Sequence, residues 1–207
     1  MKYFKVLVWM FLLFLGVYLP SFVLVGIVRT KGPGTVLLIM VTSFLVAALI
    51  IVIFLLRHGW QRKDFGLIMT GKKYLIGAFV LGGVLGLTVA VLQRVVGVSG
   101  QDAFQSFPFW QIALLFWIGA SIQEEFIFRG LIQSVVGRTS GNDKWGPVSV
   151  AAVIVALLFA VIHIPMGVFT VGAAFFAGLL AGEIRTRSGS ILPAIIVHAM
   201  MNITGTI

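Results

Sequence analysis

Residues 107–136 read FPFWQIALLFWIGASIQEEFIFRGLIQSVV, an apolar run long enough to cross a bilayer that carries Glu124, Glu125 and, one helical turn later, Arg129 near its middle. A charge at membrane depth costs roughly 2.5 kcal/mol or more even on lenient insertion scales, so three ionisable groups in one span need partners, water or a chemical task. The segment therefore predicts both a membrane helix and a functional site within it.

Composition agrees with the first half of that reading. The chain has 207 residues, 60% of them hydrophobic and only 10% charged, with a mean hydropathy of +1.13. Those values lie far from soluble-domain usage and predict an integral membrane protein. Hydropathy places spans near 4–28, 35–56, 74–97, 108–136, 147–164, 167–185 and 190–206, the last two being the shortest. The expected fold is all-α, a polytopic membrane bundle of about seven transmembrane helices. It divides into residues 1–107, N-terminal helices and a cytoplasmic link, and 108–207, integrated into a single bundle. The first span follows Lys2 and Lys5 as a signal peptide would, but its apolar stretch is too long and lacks a small-residue cleavage site; it reads as a retained anchor.

The fifteen Lys and Arg residues set the expected orientation. With the N-terminus cytoplasmic, eleven fall inside and three (Arg29, Lys31 and Arg94) outside, with Arg129 in the membrane. The net charge of +9 then reflects topology and attraction to the lipid bilayer. Nucleic acid is not an expected partner, because the cations do not interleave with aromatics on a soluble surface. The chain has no cysteine, which excludes thiolate nucleophiles and thiolate metal sites; catalysis must use oxygen or imidazole.

Two links stand out. Residues 57–74 carry His58, Trp60 and five cations, suiting either an interfacial segment or a solvated topogenic loop. Residues 98–108, VSGQDAFQSFP, are polar enough to lie over the bundle. Small-residue ladders at Gly82 and Gly86, and at Gly178 and Gly182, predict close helix packing.

Polar residues of the later spans supply the candidate chemistry. Glu183, beside Arg185 and Arg187, reads as an interfacial cap. Glu125 and Arg129 are spaced i,i+4 and share a helix face, which leaves Glu124 without that partner. His163 ends the fifth span, and His198 shares a face with Asn202 in the seventh. Counting about 1.5 Å per residue from the span ends puts these groups in one middle band of the hydrocarbon layer. A carboxylate and an imidazole can deprotonate a water, while a second imidazole and an amide can hydrogen-bond an oxyanion; together they would hydrolyse an amide.

Glu124-Glu125-x-x-x-Arg129 within QEEFIFRG, Phe159-x-x-x-His163 within LLFAVIH and His198-x-x-x-Asn202 within IIVHAMMN together resemble the three ordered motifs of the CAAX protease and bacteriocin-processing family of intramembrane endopeptidases, related to type II CAAX prenyl endopeptidases. The stretch from Gly178 to Asn202 is similar to the family between its second and third motifs, and Asp64 to Leu67, DFGL, echoes it faintly. The resemblance implies a four-helix catalytic core in which Glu124 with His163 activates water and His198 with Asn202 stabilises the oxyanion. Glu125 and Arg129 would support them.

Within what the resemblance allows, the expectation is a plasma-membrane, bacterial hydrolase acting on a peptide or membrane-protein substrate, with a purely prenyl-directed specificity as the alternative. No cofactor is expected; a zinc alternative would use Glu124, His163 and His198. Two other classes compete: a noncatalytic bacteriocin-immunity or membrane scaffold protein, and a proton-coupled transporter relaying through Glu124 and His163. Oligomeric state is not encoded in any motif.

Overall fold

The computed structural model describes residues 1–57, 59–97 and 107–205; His58 and the 98–106 part of the expected lid lie outside them. Seven helices follow in order: α1 (Lys2–Val28), α2 (Pro33–Leu56), α3 (Lys72–Val96), α4 (109–140), α5 (Val150–Val161), α6 (Val168–Ser188) and α7 (Leu192–Gly205). Between α4 and α5 a two-residue antiparallel pair, β1 (Lys144–Trp145) and β2 (Val148–Ser149), turns the chain. The all-α membrane bundle is as the hydropathy predicts, with boundaries within a few residues of expectation.

Helices α1, α2, α3 and α6 are each long and apolar enough to cross a membrane. Pro20 lies inside α1 without ending it. One expectation needs correction: the fifth helix, not the sixth or seventh, is the shortest, with 12 residues. At about 1.5 Å per residue it rises roughly 18 Å, too little to cross a hydrocarbon layer of about 30 Å by itself. The helix ends before His163, and the chain continues as a tight turn through Ile164–Met166.

Polarity is inverted relative to a soluble domain. Leu81, Val84, Leu87 and Val91 of α3 face outward, as do Phe11, Leu12 and Leu19 of α1. Gln123, Glu125, Arg129, Gln133 and His198 are buried. The apolar core lies between α1, α2, α4 and α5 around Val17, Ile51, Phe128, Leu131 and Phe159.

Both glycine ladders mark close helix contacts. A Cβ on Gly82 would stand 2.8 Å from Val197 Cα, and one on Gly86 would stand 2.9 Å from Met201 Cα, so α3 lies against the backbone of α7. On α6, a Cβ at Gly182 would meet Ala152 Cβ at 2.9 Å, and one at Gly178 would meet Ala156 Cα at 3.2 Å.

Part of the link between α2 and α3 packs into the bundle, while Arg57, Gln61, Arg62 and Lys63 stay exposed. Its short 3₁₀ turn, Arg62–Phe65, docks onto the junction of α6 and α7, with Phe65 fully buried. Gly66 (φ +69) accepts the Ile191 N–H at 3.0 Å, and Ser190 Oγ donates to Ile68 O at 2.6 Å. A side chain at Gly66 would also collide with the Arg185 guanidinium. The DFGL echo is thus a packing device whose glycine is required twice, for its backbone conformation and for its lack of a side chain.

Candidate active site

Helix α4 carries the decisive residues and is not a regular α-helix. Residues Ile112–Gly119 and Phe126–Ile132 form wide π turns on either side of the regular stretch Ala120–Glu125. In the first wide turn the Ala120 N–H reaches Leu115 O, five residues back rather than four. Phe116 O, no longer its partner, accepts the Asn202 amide at 3.0 Å. The Gln133 N–H likewise reaches back five residues, to Phe128 O. Wide turns of this kind concentrate at functional sites because they re-aim side chains within an otherwise rigid rod. No hydropathy pattern announces them.

The adjacent glutamates diverge as their spacing requires. Glu125 is 1% exposed and accepts from Arg129 Nη1 at 3.0 Å. The same oxygen, Oε1, lies 2.9 Å from His198 Nδ1. Since a carboxylate held by a guanidinium can only accept, Nδ1 of His198 carries a proton and donates it. Glu124, 21% exposed at its side chain, points Oε2 toward His198 Nε2 at 3.9 Å, and that oxygen has no hydrogen-bond partner.

Arg129 is wholly buried. Its Nη2 donates to Gly178 O at 3.0 Å, and its guanidinium lies 4.7 Å from the centre of the Phe159 ring. A Cβ on Gly178 would stand 3.1 Å from Nη2, so the glycine makes room for the cation that holds Glu125.

His163 adopts φ −92°, ψ 1° in the turn after α5, the bridge region of backbone space. Its Nδ1 lies 2.7 Å from Phe159 O. A carbonyl oxygen only accepts, so Nδ1 holds the proton and, in the neutral ring, Nε2 keeps its lone pair. Phe159 stands between the histidines, with ring centres 4.7 Å from His163 and 5.7 Å from His198.

Glu124, His163, His198 and Asn202 all line one cavity of about 330 Å³. Its remaining wall is mainly apolar, including Phe116, Trp117, Phe169 and Met201. Glu125 and Arg129 stand behind that wall. Asn202 donates to Ser121 Oγ at 3.3 Å as well as to Phe116 O, which ties α7 to the first wide turn.

Several contributors escape a reading by residue type. Ser121 anchors Asn202, and Gln123 donates to Ser43 Oγ at 2.9 Å and Tyr18 OH at 3.3 Å. Gln123 so joins α1 and α2 to the turn that presents Glu124. Polar residues next to the glutamates in an apolar run were the available signal. Glu183 accepts from Ser149 N at 2.6 Å and pairs with Arg187 at 3.4 Å.

Among the described residues no three His, Asp or Glu side chains converge as a ligand group.

Fold and site together define a membrane-embedded helical bundle with an acid–imidazole cavity between its helices. Residues 106–204 match the family model described as Rce1-like, type II CAAX prenyl endopeptidase Rce1-like. That segment, just under half of the chain, holds Glu124, His163, His198 and Asn202, and over it the chain is similar to this family of membrane peptidases. No curated protein and no solved structure matches the chain.

Proposed function

We propose that the chain hydrolyses a peptide bond in a membrane-associated peptide or protein by a glutamate-activated water, without a metal. The observation that carries this reading is the unpartnered Glu124 Oε2 on the wall of the cavity that His163, His198 and Asn202 also line. A buried carboxylate oxygen with no partner is costly unless water or substrate completes it.

In the proposed reaction, water bound in the cavity donates one proton toward Glu124 and the other toward His163 Nε2. As its oxygen attacks the scissile carbonyl carbon, Glu124 takes the first proton. A His198 holding protons on both nitrogens donates from Nε2 to the oxyanion. Rotation of the Asn202 amide away from Ser121 and Phe116 O brings an N–H to the same oxygen. Collapse breaks the C–N bond, and Glu124 returns its proton to the departing amine.

Orientation follows the basic residues, with the N-terminus in the cytoplasm of a bacterial cell. The apolar cavity wall suits an extended peptide presented from the bilayer. Comparing membrane peptidomes from cells carrying the native chain and Glu124→Gln tests the reading and exposes the substrate. Peptides should accumulate uncleaved in the variant; unchanged peptidomes and unchanged in vitro cleavage with a folded variant would overturn it. Dependence on an ion gradient in liposomes would favour the transporter instead.

A further inference from the structure

A second cavity, about 570 Å³ in volume, shares no lining residue with the first and lies at the basic end of the bundle. It is formed where the α2–α3 link, the end of α4, the start of α5 and the end of α6 meet. Four cations line it, Lys63, Arg138, Lys144 and Arg185, against one carboxylate, Asp64.

The acids nearby are already engaged. Asp64 Oδ2 accepts the Gln61 N–H at 2.8 Å, closing a capping box. Asp143 is held by Lys2 and Tyr3, and Glu183 by Ser149 N and Arg187. Arg185 is 9% exposed; its Nη2 donates to Asp64 O at 2.9 Å, while its Nε has no partner. Ser134 Oγ, also on this wall, is buried without a partner. Arg138 donates from Nη1 to Gly59 O at 2.7 Å, and its guanidinium carbon lies 4.3 Å from the centre of the Trp60 ring.

Cations at helix C-termini and on a cytoplasmic face need no ligand to explain them. Such residues do not ordinarily wall a cavity whose lining residues also carry buried polar atoms without partners, here Arg185 Nε and Ser134 Oγ as donors and Gln133 Oε1 as an acceptor. We propose that this cavity binds a phosphate group bearing net negative charge, either an anionic lipid headgroup or free phosphate. Guanidinium and ammonium donors suit its oxygens, and Trp60 suits the headgroup layer.

Calorimetric titration of the detergent-purified full chain distinguishes the sources, using dioctanoyl phosphatidylglycerol, dioctanoyl phosphatidylcholine and inorganic phosphate as probes. Lys63→Gln with Lys144→Gln removes two exposed cavity cations and leaves the core intact. Lys72→Gln with Lys73→Gln removes two exposed cations from the same end outside the cavity.

Phosphatidylglycerol should bind, and the cavity variant should weaken it roughly tenfold or more while the control pair changes it little. Binding of phosphatidylglycerol alone identifies a headgroup site, and binding of phosphate as well identifies a free-anion site. Either supports the inference. No binding of either anion, equal binding of phosphatidylcholine, or equal loss in both variants would overturn it.

Discussion

At the scale of single residues, the site rests on neighbours in sequence having different surroundings. Glu124 reaches the cavity and Glu125 is locked between Arg129 and His198. Glu124→Gln should lower the rate of peptide cleavage by roughly 10²- to 10⁴-fold, the usual worth of a positioned general base, with little loss of stability. Arg129→Met should act differently. Removing one partner of a buried ion pair costs about 3–5 kcal/mol because the other charge is left uncompensated. Its signature is a lowered unfolding temperature together with lost activity, and a variant as stable as the native chain would contradict the pairing. The i,i+4 spacing made that pair legible in the sequence. Nothing local showed that the same Glu125 oxygen also faces His198, because that contact joins residues 73 positions apart.

Among the helices, small residues decide which ones touch. Gly86→Leu should separate α3 from α7, since even a Cβ there would stand 2.6 Å from the Met201 carbonyl oxygen. Overpacking of this kind costs about 1–3 kcal/mol. Because α7 carries His198 and Asn202, activity should fall along with stability; a Gly86→Leu chain of native activity would show that α3 does not position α7. The sequence disclosed both ladders and all seven helices, since burial of small residues and length of apolar runs are local properties. It did not disclose the two wide turns of α4, which depend on what the neighbouring helices demand of each carbonyl. His163 was expected at a helix end and instead occupies the turn beyond α5. Its ring is then fixed by a single bond to Phe159 O, a side-chain-to-backbone contact that hydropathy does not register.

The links join the whole molecule at one end. The start of α1 is fastened to the α4–α5 connection through Asp143, which meets Lys2 Nζ at 2.5 Å and Tyr3 OH at 2.8 Å. Those hydrogen bonds, led by Lys2, hold its carboxyl below the ordinary carboxylate value. A depressed value means that the contribution to stability is fully present above about pH 3.9 and is lost as pH falls through the folded-state value. The difference in unfolding temperature between Asp143→Asn and the native chain should accordingly be small, as befits an exposed pair, and close in acid. A gap that widens on acidification would contradict the assignment.

Orientation in the bilayer is the remaining property of the whole molecule, and the cysteine-free chain offers a clean way to read it. Lys31 and Lys72 are both exposed and lie just before the starts of α2 and at the start of α3, at opposite ends of the bundle. Single replacements Lys31→Cys and Lys72→Cys introduce one thiol each. If the eleven cations at the basic end face the cytoplasm, a membrane-impermeant maleimide applied to intact cells should label position 31, and position 72 only after permeabilisation. The candidate active-site cavity lies toward the opposite end, lined by Gln93 near the end of α3 and Gly205 at the end of α7. Labelling at 31 would therefore place peptide entry on the outer half of the membrane, whereas labelling at 72 alone would invert the proposed topology and bring substrate from the cytoplasm.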